Sequence, residues 1–185
     1  MTKRHRGENY DLRIALDAPD GFLSGKHREM IERVRHTHPH TVVYRELIDE
    51  STCVTYAFTL FRDRVYRAVA SNFGGEIFAG RRFMEWLIQH HLEEIGRPVL
   101  GCIATYSCKG VWQHVGIVSG AGRVTSQWGT FPVYEHGVFE VPARYGDEVR
   151  YFKTLPRGGA VRLFLDFSKT CGSSDADISR VIRDA

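Results

Sequence analysis

The stretch GCIATYSCKGVWQHVGIVSGAGRVTSQWG, residues 101–129, decides the fold. β-Branched, aromatic and aliphatic residues fill three runs, Val99 to Tyr106, His114 to Ser119 and Arg123 to Trp128, and the turn groups Cys108-Lys109-Gly110 and Gly120-Ala121-Gly122 fall between them. Links this short reverse the chain on the spot, whereas a parallel crossover takes a dozen or more residues. Successive runs are therefore expected to pair antiparallel. Similar runs at Pro132 to Glu135, Glu148 to Thr154 and Val161 to Phe167, parted by Gly129, Tyr145-Gly146-Asp147 and Arg157-Gly158-Gly159, predict a sheet of about five or six strands.

Upstream the period is helical. Ser24 to His36 places Met30, Ile31 and Val34 on one side and stops at His38-Pro39. From Val54 the apolar residues recur at 54, 57, 58, 61, 65, 68 and 69, with Ser51 or Thr52 in the N-cap position and Asn72, Gly74 and Gly75 at the end. This predicts one helix over 53–72 that buries Val54, Ala57, Phe58, Phe61 and Val65. A second helix is expected over Arg81 to Ile95, closed by Gly96 and Pro98. Helices first and strands second make an α+β domain, here over 24–171. Residues 1–23 read as a loosely ordered basic lead-in, and 172–185 as a tail with a frayed helix around Ile178 and Val181.

Composition bounds the function. The chain has 185 residues, 43% hydrophobic and 25% charged, enough for one sizeable core. Lys and Arg number 25 against 22 Asp and Glu, and the excess lies in residues 1–45, so charge does not argue for a nucleic-acid partner. No apolar run approaches the roughly 20 residues that span a bilayer. The opening MTKRHRGENYDLR lacks the apolar core of a secretory signal, which points to the cytoplasm or to export without a Sec signal. In that setting Cys53, Cys102, Cys108 and Cys171 read as free thiols.

One of these thiols has a chemical setting. A cysteine attacks as thiolate, and a helix N-terminus or a nearby imidazole lowers its pKa. Cys53 has the first by position, and His114, at the head of its strand, supplies the second if that strand packs against the Cys53 helix. A catalytic base also needs a third polar group to orient it. The run GRVTSQWG returns alongside His114 and brings Ser126 or Gln127 level with it; His136, in Tyr-Glu-His-Gly, competes for that role or serves as a second base. The alternate imidazoles His36, His38 and His40 read as a solvated basic loop, not a zinc site.

A helix-borne cysteine in TCVTYAF, a strand GCIATYS and the run QHVGIVSGAGRVTSQWG together resemble the NlpC-type cysteine peptidases, of papain-like fold. SQWG and VYEHGVFEVPARYGDEVRYF are similar to a poorly characterised bacterial branch of that superfamily. The resemblance covers about residues 45 to 155. It implies Cys53 as nucleophile, His114 as base and Ser126 nearest the third position, with Gln127 and His136 as alternatives. Tyr56 would lie near the site, and Trp128 and Trp112 would line a substrate cleft. The implied activity is hydrolysis of an amide or peptide bond, as in the peptidoglycan stem, with no metal or organic cofactor. Two other readings stay open: a non-catalytic binding module, for which Trp128, Phe131 and Tyr134 offer an aromatic surface, and an acyltransferase built on the same Cys-His pair.

Overall fold

The antiparallel pairing of the 101–129 stretch sets the centre of the molecule. The structure, a computed structural model, describes residues 3–4, 10–17, 24–37, 42–46, 48, 51–72, 77–129, 132–156 and 158–184. Among these residues the strands are β1 (Lys3–Arg4), β2 (Val43–Glu46), β3 (Glu94–Ile95), β4 (Ile103–Cys108), β5 (Val111–Gly120), β6 (Arg123–Gln127), β7 (Val133–Gly137) and β8 (Glu148–Phe152). The helices are α1 (Tyr10–Leu16), α2 (Ser24–Thr37), α3 (Cys53–Ala57), α4 (Arg64–Asn72), α5 (Arg81–His90), α6 (Gly159–Thr170) and α7 (Asp175–Asp184). One antiparallel sheet runs β1-β8-β4-β5-β6-β7-β2, and β3 joins β8 beside β1. The α+β class is as expected, with eight strands in place of five or six.

Both faces of this sheet are covered, because side chains alternate along each strand and both sets are apolar. One face carries Ile103, Trp112, Val115 and Phe152 against α3 to α7, with Phe83, Met84, Leu87 and Phe164 filling the layer. The other carries Ala104, Tyr106, Val118, Val124, Trp128 and Tyr134 against α1 and α2. The expected 1–23 lead-in is thus partly built into the fold: Leu12 and Leu16 are each 1% exposed, and Lys3 and Arg4 pair with β8.

Three local expectations are corrected. The helix expected over 53–72 breaks, because Thr59 adopts a positive φ of 55° and a 3₁₀ turn follows at Leu60–Arg62. Asp63 then restarts the helix by accepting the Tyr66 N–H at 3.0 Å. The break buries Leu60 completely and leaves Phe61 and Val65 partly exposed. Second, α5 stops at His90, and Ile95 pairs with Tyr151 as part of β3. Third, the run Val161 to Phe167 lies within α6, where Ala160, Phe164, Phe167 and Ser168 recur at helical spacing on the buried face. The short C-terminal helix expected around Ile178 and Val181 is present as α7, opened by Ser174, whose Oγ accepts the Asp177 N–H.

Gly116, in the centre of HVGIVSG, has a packing reason. A Cβ there would lie 2.6 Å from Val124 Cγ1, 2.8 Å from Ser126 Cβ and 3.0 Å from the Thr125 carbonyl oxygen. Only glycine lets β6 close onto β5 at this level.

Candidate active site

Cys53 is the first residue of α3, and the residues before it explain why the helix starts there. Thr52 is the N-cap: its hydroxyl accepts the Thr55 N–H, and Thr55 Oγ1 accepts the Thr52 N–H at 2.7 Å, a reciprocal capping box. The run into this cap is tied to the sheet by Gln127, which is fully buried. Its Nε2 donates to the Ile48 carbonyl at 3.1 Å, and its Oε1 accepts from Ser51 Oγ at 2.5 Å. Gln127 therefore secures the approach to Cys53 and not the imidazole, the role it was an alternative for. Asp49 and Glu50 lie outside the described residues.

By the Ile117–Thr125 register, Gln127 stands opposite Val115, and β6 ends there. Here Cys53 meets the β5 backbone. The N–H groups of Val115, Val54 and Cys53 itself are turned toward the sulfur and favour its anion. Burial outweighs them and pushes the thiol up to about 11. This corrects the expectation of a depressed thiol: α3 has five residues, too few to build a substantial dipole, while the sulfur is set deep against the strand although Cys53 keeps some exposure.

His114, the residue before Val115, projects from the opposite face of β5. Its ring is 1% exposed and lies flat on Tyr145, with centroids 3.9 Å apart and planes 3° from parallel. Tyr106 stands beside it at 5.7 Å. Among the described residues the His114 Nε2 has no hydrogen-bond partner, and neither Ser126 nor Cys53 is hydrogen-bonded to the ring. Burial, then the nearby His136 and Arg144, hold its pKa well below the ordinary imidazole range.

Ser126 shares the His114 face but serves another histidine. His136 Nδ1–H donates to the Gly137 carbonyl at 2.8 Å, which leaves Nε2 to accept from Ser126 Oγ at 2.9 Å. Ser126 Oγ in turn accepts from Trp128 Nε1 at 3.1 Å. The chain Trp128–Ser126–His136–Gly137 is satisfied at every link, its three side chains are fully buried, and burial pushes His136 down to about 4. Ser126 is thus committed to His136.

The remaining expected residues lie elsewhere. Trp128 is fully buried and Trp112 nearly so, which removes both from the wall of an open cleft. Tyr134 is buried too, and Phe131 lies outside the described residues, so the expected aromatic surface is absent from the described part. Tyr56 stacks on Phe61. A cavity of about 590 Å³, walled in part by Ala57, Phe58, Arg62, Ile117 and Leu155, sits at the far end of α3; neither Cys53 nor His114 lines it. Among the described residues no cluster of three or more His, Cys, Asp or Glu could hold a metal ion, and no helix is long and apolar enough to cross a membrane. His38 and His40 lie outside the described residues.

Tyr145 is the residue the sequence did not single out. It follows Cys53 by more than ninety positions, inside what reads as a turn, and no local pattern marks it. The fold lays it on His114 and close enough to Cys53 to sense the thiol's charge.

Comparisons of the chain with protein-family models, with curated proteins and with solved structures found no significant match.

Proposed function

We propose that this protein is a thiol-dependent hydrolase of an amide or peptide bond, NlpC-like, with Cys53 as nucleophile and His114 as base. The observation that carries the reading is the meeting of the Cys53 sulfur with the Val115 N–H, one residue from His114, at the point where β6 ends. The same three N–H groups that face the sulfur suit an oxyanion formed beside it. In the reaction His114 takes the thiol proton as sulfur attacks the carbonyl carbon. The leaving amine takes that proton back, and water then cleaves the thioester. With the thiol raised and the imidazole lowered, both are neutral at rest, so the proton moves during attack. The resemblance of the sequence extends the substrate to peptidoglycan stem peptides. An acyltransferase differs only in the acceptor that replaces water.

A second reading, a binding module without turnover, is favoured by the sealed His114 ring and by the commitment of Ser126 to His136. The experiment that separates them is incubation with stem-peptide amides and simple peptide amides, followed by intact-mass spectrometry. Hydrolysis is expected to pass through a thioester on Cys53 and to stop in Cys53→Ala. Binding with no covalent adduct and no product over all substrates would favour the module.

A further inference from the structure

We propose that Tyr145 is the positioning residue of the His114 imidazole, and that α1 holds it there. The inference rests on the thiol-imidazole reading and adds to it the group that orients the base. A base in such a pair is ordinarily oriented by a hydrogen bond from a third residue. Among the described residues His114 has none at Nε2, and Ser126, at the expected third position, is spent on His136. What fixes the ring is a stack. Its 3.9 Å separation from Tyr145 is closer than the roughly 4.5–7 Å usual for aromatic pairs, and the planes are within 3°.

Tyr145 itself is secured from the N-terminal side of the chain. The Arg144 guanidinium lies over the Tyr145 ring at 5.4 Å, and Asp17, at the end of α1, takes both the Arg144 guanidinium (2.7 Å) and the Arg144 backbone N–H (3.1 Å). Arg13, buried on α1, donates to the carbonyls of Val141 and Gly146 on either side of Tyr145. Arg13 of α1 and Asp17 just after it therefore grip the 141–146 turn at four points, and the turn presses Tyr145 onto His114. The N-terminal segment becomes part of the machinery that holds the base.

The test compares wild type, His114→Ala, Tyr145→Leu, Tyr145→Phe and Asp17→Asn in full-length chain by two readouts. One is the pH-rate profile of Cys53 alkylation by iodoacetamide; the other is the NMR shift of the His114 ring protons, displaced upfield by a stacked phenol. Tyr145→Leu is expected to abolish the displacement and to lower the alkylation rate at pH 7 by about tenfold or more, toward His114→Ala, as misplaced catalytic groups do. Tyr145→Phe keeps the ring and is expected to restore both. Asp17→Asn is expected to fall between. A folded Tyr145→Leu with the wild-type shift or the wild-type profile overturns the proposal. So does a Tyr145→Phe as impaired as the leucine variant, which would place the effect in the hydroxyl. If His114→Ala itself leaves alkylation unchanged, the thiol-imidazole reading fails and takes the clamp with it. A silent Tyr145→Leu beside an impaired His114→Ala sinks the clamp alone.

Discussion

Cys53 carries two opposing influences whose balance sets its chemistry: three backbone N–H groups favour the anion, and burial disfavours it more. With the thiol at about 11, its alkylation is expected to accelerate continuously from pH 7 to pH 10 with no plateau at low pH, measured by peptide mapping of all four cysteines. A plateau below pH 7 would mean a preformed thiolate. His136 obeys the opposite sign. It is held neutral in the fold, at about 4, but protonates near 6.5 in the unfolded chain, so its contribution is complete above about pH 6.5 and is lost as pH falls toward 4. The loss is on the order of 3 kcal/mol by the size of the shift. At this scale the position of Cys53 at the start of a helix and of His114 on a strand was legible from local pattern. The partner of Ser126 was not, since two histidines, His114 and His136, share its face of the sheet and only the packing chooses between them.

Elements show where local pattern succeeds. The hairpin of β4, β5 and β6 was legible because alternation and turn residues agree there, and because Gly116 sits where the strands must close. Gly116→Ala is expected to cost about 1–3 kcal/mol, the range for an overpacked site, read as a lower urea midpoint at unchanged slope. Thr52→Ala removes the α3 capping box and is expected to cost about 1 kcal/mol, with a larger effect on Cys53 alkylation than on stability. The break at Thr59 was not legible: the apolar period runs through it, and the cost of a positive φ is repaid by burying Leu60. Likewise Val161 to Phe167 is rich in strand formers, and what makes it helical is the layer of Phe83 and Tyr66 that receives Phe164.

The whole molecule joins parts that the sequence keeps far apart. The cysteine arrives on one face of the sheet against Val115, and the histidine, one residue earlier on the same strand, projects from the other. The polar grip from α1 reaches across more than 120 positions to the 141–146 turn. The raised thiol and the lowered imidazoles also shape stability as a whole. A buried thiol stabilises the fold below the ordinary thiol range and loses that contribution as pH rises toward 11, while His136 and His114 lose theirs in acid. Urea midpoints are accordingly expected to be highest near about pH 7 to 8 and to fall on both sides. The central claim is that His114 acts on the Cys53 thiol, and the most direct measurement is the rate of Cys53 alkylation against pH in wild type and His114→Ala. The account expects the variant to be slower by about tenfold or more near pH 7 and to converge with wild type near pH 11, where the thiol ionises unaided. Superimposable profiles across the whole range would contradict it.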